Sequence, residues 1–294
     1  MKQRRTDLAL EQRQMAGEDL PEVDCAEGLR EGFPLTTVRV TGPRGAAALG
    51  KPEGIYHTLD LTSLTRQEEG AFSRAGAALV DLLRPLLPAE GPVLVVGLGN
   101  RAITPDAIGP KVCDNTLVTR HLVALAPEHF SAFRPVSALA AGVLGTTGVE
   151  SGELAAAVAK AVSPAAVVAV DALCARQVER LCATVQICDT GITPGSGVGN
   201  HRFALNEKTL GVPVIALGVP TVVEGATLCA DLLESAGGTE TDPAALRSLP
   251  GGELLVTPRD IDQRVEDLSR LLGRSLSLAL QPHLTEEELD LLVG

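Results

Sequence analysis

The sequence predicts an α/β fold, a three-layer molecule whose mostly parallel sheet is flanked by helices. Three observations lead there. Short apolar runs recur at 93–97, 165–170 and 214–217, as expected of strands buried on both faces. Between them lie stretches whose apolar residues fall at helical spacing, and strands alternating with helices favour a parallel sheet covered on both sides. The length of 294 residues, 45% of them hydrophobic, is core material for one large domain. Aromatics make up only 2% and Trp is absent, so that core has to be built from Ala, Val and Leu.

Taken in order, residues 1–35 are polar, charged and poor in periodicity, and read as an arm open to cleavage. Residues 36–60 read as short strands joined by Gly/Pro turns. Phe72, Ala75, Leu79, Leu82 and Leu83 mark a helix over 66–87 that stops near Pro85 and Pro88. A strand at 93–97 is followed by one helix over 105–125 with proline in its first turn. Ser151 is the expected N-cap of a helix running to 162. Further strands follow at 165–170, 184–188 and 214–217, then a helix at 224–235. Residues 236–252, rich in Gly, Pro and Thr, read as a loop. A long amphipathic helix over 258–280 has Thr257 as its expected cap, and Thr285 opens a last helix with acids in its first turn. In sheets of this kind ligands sit at the carboxyl ends of the strands.

Composition narrows the function. The net charge is −12 and the basic clusters are short, such as Lys2, Arg4 and Arg5, which argues against direct nucleic-acid binding. No apolar run approaches the ~18 residues that span a bilayer. Residues 1–20 are charged and polar, so no signal peptide is expected. The expected location is the cytoplasm, with reduced thiols. The six cysteines form no CxxC pair and read as small buried hydrophobes.

Two acids stand out. Asp106 lies in Thr104-Pro-Asp-Ala-Ile-Gly-Pro110, just beyond the strand at 93–97, and Asp171 closes the apolar run Val167-Val-Ala-Val170. Either acid alone could be a helix cap or a dipole partner. Two acids beyond neighbouring strands ~4.8 Å apart could share a proton, one acting as base towards water and the other as acid.

Other motifs are weaker. Gly97-Leu-Gly-Asn-Arg-Ala102 matches the dinucleotide fingerprint, but Ile103-Thr-Pro105 delays the helix that should hold a pyrophosphate. A tight strand-to-loop turn is the stronger reading. Asp189-Thr-Gly191 matches the tripeptide of pepsin-like proteases, but occurs once and in an α/β setting. The glycine-dense stretch after it, with Gly195, Ser196, Gly197 and Asn200, could bring backbone N–H groups to a substrate. No HExxH or GxSxG motif occurs. His121 lies fifteen residues beyond Asp106, roughly 22 Å along one helix. No metal and no cofactor are expected.

Together these segments resemble one family, the germination proteases of spore-forming bacteria. The resemblance is carried by Arg5-Thr-Asp-Leu-Ala9, Val96-Gly-Leu-Gly-Asn100, Thr104-Pro-Asp-Ala-Ile-Gly-Pro110, Leu117-Val-Thr-Arg-His-Leu122, Arg134-Pro-Val-Ser137 and Val170-Asp-Ala-Leu173. It continues through 189–200, Gly218-Val-Pro-Thr-Val-Val223 and Leu255-Val-Thr-Pro258. The resemblance implies a fold like that of the hydrogenase-maturation proteases, in which the corresponding acids bind nickel. It implies an endopeptidase that degrades small acid-soluble spore proteins in the spore core during germination, without metal. It places catalysis on Asp106 and Asp171. Asn100, Asp189, Gly195, Ser196, Gly197 and Asn200 are the expected substrate-binding or loop residues beside them. The resemblance further implies a homotetramer, and a zymogen that removes its own residues 1–7 by cutting between Asp7 and Leu8, leaving 8–294 as one peptidase domain. Two departures from the family are the short leading segment and a short stretch between Leu233 and Leu254. The alternatives are a metal-dependent maturation protease of the same fold, a nucleotide-binding α/β protein, and a non-catalytic binding protein.

Overall fold

The computed structural model describes residues 4–17, 19–193, 203–238 and 241–293. Among them nine strands form one sheet: β1 (Val23–Arg30), β2 (Phe33–Val40), β3 (Gly54–Asp60), β4 (Val93–Leu98), β5 (Val136–Gly142), β6 (Ala166–Ala175), β7 (Thr184–Cys188), β8 (Val214–Glu224) and β9 (Leu255–Val256). They run in the order β1-β2-β3-β7-β8-β6-β4-β5, with β9 on β8. The block β5-β4-β6-β8 is parallel. The remaining pairings are antiparallel.

Helices cover both faces, giving three layers. The helices used below are α1 (Ala9–Ala16), α2 (Ala71–Leu83), α3 (Ile108–Asp114), α4 (Ser151–Val162), α5 (Gly225–Ser235), α6 (Ile261–Leu280) and α7 (Glu286–Val293). Successive residues of a strand point to opposite faces, and β4 shows this directly. Val93 and Val95 join Leu79 of α2, Val112 of α3 and Leu272 of α6 in the larger core. Leu94 and Val96 join Ala155 of α4 and Val167 of β6 in a second core on the other face. Every residue of β4 is buried, which is why its sequence reads as an unbroken apolar run.

Several local expectations change. The expected arm at 1–35 contains α1 and β1. β1 lies at the sheet edge with most of its residues exposed, so no apolar alternation betrayed it. The single helix over 105–125 is a 3-10 turn (Thr104–Asp106), then α3, then a separate helix (Arg120–Leu125). It breaks because Asn115 packs directly against Gly273 of α6, and because the Thr119 N–H donates to Val136 O instead of continuing the helix. Ser151 is the first residue of α4, after Glu150 as cap, and its hydroxyl donates to Gly142 O. Thr257 lies outside α6, which Asp260 precedes. A short helix, Pro243–Arg247, interrupts the expected loop at 236–252 and is capped by Asp242. Thr285 does cap α7: its hydroxyl accepts from Glu288 N while Glu288 accepts from Thr285 N.

Candidate active site

β4 ends at Leu98, and the chain turns away through Gly99, whose φ is +109°. The turn brings the Thr104–Asp106 segment back over the strand end. There the Asn100 N–H donates to Asp106 Oδ2 at 2.7 Å. A side chain at Gly99 would overlap the Asp106 carbonyl, and one at Gly97 would overlap Gly109 at the start of α3. The two glycines of the fingerprint-like stretch are therefore needed to seat Asp106 and α3 on β4.

Asp171 sits on the neighbouring strand, with Gly97 of β4 opposite Val170 of β6. It does not close its strand, as the apolar run suggested. β6 continues to Ala175 because β8 continues beside it, pairing Asp171 with Gly218 and Ala175 with Val223. Asp171 instead lies where β4 has just stopped, and that stagger opens it to a crevice. It is 8% exposed, and Oδ1 accepts from its neighbour's amide, Ala172 N, at 2.9 Å.

Asp106 and Asp171 line one cavity of about 570 Å³, and Asp7 and Asn100 line it too. Arg5 and Asp7 of the leading segment form part of its wall. The Asp7 N–H donates to Cys174 O, and Asp7 Oδ2 accepts from Cys174 N, both at 2.8 Å. Leu8 is fully buried in a small apolar cluster with Leu173, Ala175, Leu181 and Val223. Arg4 ion-pairs with Asp231 and Glu234 of α5, and Arg5 lies 3.6 Å from Glu224. Burial pushes the Glu224 carboxyl upward, but hydrogen bonds from Arg247 and Thr227 outweigh it and hold the group below its ordinary value. Glu11 is buried as well and accepts from Arg176 N and Gln177 N at 2.7 and 2.9 Å.

The other candidate residues are placed differently. Asp189 is exposed and does not line the cavity; its carboxylate accepts from Ile55 N and fixes the start of β3. Gly195, Ser196, Gly197 and Asn200 lie outside the described residues. Ile192 and Thr193, which lead into that stretch, do line the cavity. Among the described residues no three His, Cys, Asp or Glu side chains are grouped to hold a metal ion. Cys113, Cys174, Cys182 and Cys188 are buried. Burial pushes the Cys174 thiol, beside Asp7, up to about 12, so it stays protonated and is a poor nucleophile near neutrality.

Two contact residues were missed. Lys51 and Gln186 both donate to the Asp7 carbonyl oxygen. The signal for Gln186 was present, since it is the one amide in the otherwise apolar core of Thr184–Cys188. Lys51 follows a short helix in a turn and gave no signal. Chemically, the arrangement offers two carboxylates in one crevice with Asp7 at its wall.

Comparison with known proteins agrees with the sequence resemblance. A family model described as Peptidase A25, germination protease, matches residues 3–236. A germination protease of Caldanaerobacter subterraneus subsp. tengcongensis is 40% identical, with 98% of both chains covered. One from Clostridium perfringens is 39% identical over 97% of this chain and 98% of its own. Another, from Priestia megaterium, is 34% identical over 96% of this chain and 95% of its own. Among solved structures, a nickel–iron hydrogenase maturation protease from Thermococcus kodakarensis KOD1 covers 66% of this chain and 98% of its own, at 19% identity and a TM-score of 0.37.

Proposed function

This chain belongs to the germination protease family, and from that premise we propose that it is a self-processing endopeptidase using Asp106 and Asp171 as an acid–base pair. Its substrates are small acid-soluble spore proteins, degraded in the spore cytoplasm as germination begins. The chain is made as a zymogen and cuts itself between Asp7 and Leu8. The working form is a homotetramer that uses no cofactor, binds no nucleic acid directly and does not enter the membrane. No helix among the described residues is long and apolar enough to cross a membrane.

The observation that carries this reading is the convergence on one cavity of Asp106, Asp171 and Asp7, whose carbonyl begins the bond to be cut. In the mechanism, one carboxylate is ionised and takes a proton from water as the water attacks the Asp7 carbonyl carbon. The other is protonated and gives its proton to the leaving Leu8 nitrogen. Proximity is supplied by Asp7, which lines the same crevice as the two aspartates.

The test is the intact mass of the purified full chain followed over time, beside Asp106→Asn and Asp171→Asn. The wild type should lose its first seven residues. Each variant should process roughly 10²–10⁴-fold more slowly while melting within a few degrees of the wild type. Processing at the wild-type rate by either variant would remove that aspartate from the mechanism.

A further inference from the structure

The Asp7 carbonyl oxygen has two hydrogen-bond donors that are not part of the aspartate pair. Lys51 Nζ donates to it at 2.8 Å and Gln186 Nε2 at 3.3 Å. Gln186 lies on β7 and is 6% exposed. Its side-chain oxygen accepts from Ala9 N at 2.7 Å. The amide therefore spans the Asp7–Leu8 bond, and the bond to Ala9 fixes which end is left to face the Asp7 carbonyl: the NH₂ end.

The placement is two-sided. Asp106 and Asp171 line the larger cavity but not the smaller one beside it. Lys51 and Gln186 line the smaller one, of about 160 Å³, but not the larger. Asp7 lines both. Asp7 thus lies between the two cavities, with the acid–base groups lining one and the donors to its carbonyl oxygen lining the other. A carbonyl under attack needs this division, because the nucleophile approaches the carbon from one face while negative charge gathers on the oxygen. Donors already aimed at that oxygen stabilise the charge without reorganising. Lysine brings a full positive charge, and Gln186 brings a rigid buried dipole.

We infer that Lys51 and Gln186 are catalytic residues that stabilise the oxyanion formed on the scissile carbonyl. This rests on reading Asp7–Leu8 as the bond cut and Asp106 and Asp171 as the acid–base pair. In the step, water oxygen bonds to the Asp7 carbonyl carbon and its proton passes to the ionised aspartate. The π pair of the carbonyl moves onto oxygen, where Lys51 and Gln186 hold it. When that pair returns, the bond from Asp7 carbon to Leu8 nitrogen breaks. The protonated aspartate then supplies the proton for the new Leu8 amine. Water is the only co-reactant. After residues 1–7 have left, the same two donors serve the carbonyl of an external substrate.

The experiment uses the full chain with Lys51→Met, Lys51→Arg and Gln186→Met, and reads two rates. The first is loss of the seven-residue fragment by intact mass. The second is cleavage, by the processed enzyme, of a peptide copying residues 4–14. Lys51→Met should slow both by roughly 10²–10³-fold, with the peptide loss in kcat and KM within about threefold. Lys51→Arg, which keeps a charged donor, should recover at least about tenfold over Lys51→Met. A merely structural anchor would raise KM and leave kcat alone, and that result would overturn the assignment. So would a Lys51→Met rate within about threefold of wild type. If Lys51→Met does not fold, Gln186→Met carries the same two readouts. Loss of both rates in Asp106→Asn with none in Lys51→Met would overturn the oxyanion pair and leave the aspartate reading standing. A wild type cut at another bond would remove both.

Discussion

His57 shows how one half-buried side chain ties stability to pH. It lies on β3, where its Nδ1 is 2.9 Å from the Thr37 hydroxyl. Burial pushes its pKa below the ordinary 6.5; Asp189 opposes the shift, while Arg39 and Arg30 add to it. The folded state therefore favours neutral imidazole. That contribution is fully present above the unfolded value of 6.5 and drains away as the pH falls towards the lowered folded value. The melting temperature should drop between about pH 7.5 and about pH 5, and His57→Gln should flatten that slope. An unchanged slope in the variant would assign the acid sensitivity to other groups. At this scale the sequence was unevenly legible. Asp106 and Asp171 stood out because each is an acid bordering an apolar run, and the structure brings both to one cavity. Asp189 looked similar but is used to fix a strand, since a tripeptide match says nothing about which way a turn faces.

α3 approaches the sheet at a distance that only glycine permits. A side chain on Gly109 would overlap the Leu98 backbone and the Val170 carbonyl, so the helix start rests on β4 and β6 at once. Gly109→Ala should destabilise the protein by about 1–3 kcal/mol through overpacking. It should also push the Asp106 turn outwards, so that self-processing falls further than the stability loss explains. Urea unfolding beside the processing rate would measure the two, and a variant as stable as wild type would show that the helix can shift freely. The element most legible in sequence was β4, buried on both faces, where the apolar run is unbroken; β8, expected at 214–217, runs on to Glu224 through Gly218, Pro220 and Thr221, which hid its length. The extension of β6 past Asp171 was hidden because an acid inside a strand reads as its end. The helix break at Asn115 was hidden because its cause, Gly273, is 158 residues away in sequence.

At the scale of the whole molecule, the proposed tetramer should appear in sedimentation as a mass four times that of the 30.5 kDa chain. Large apolar side chains left open to solvent, such as Leu125 at 81% and Leu291 at 87% exposed, fit burial between copies. A single species of monomer mass at micromolar concentration would contradict it. The overall architecture was legible from alternation of strands and helices, and strands were expected over 36–60, where most of β2 and all of β3 lie; the edge strand β1 was not, because most of its residues are exposed. The unequal reach of β4 and β6 has one more consequence. Beyond the end of β4, the main chain of β6 still offers its edge, and Cys174 uses it to bind Asp7. A segment that uses this edge as Asp7 does needs a backbone N–H free to donate to Cys174 O. A stretch wound into a helix has its own N–H groups already engaged and cannot comply. If external substrates take the place of Asp7 as proposed, the molecule screens shape before composition, and a target becomes vulnerable at the moment it loosens.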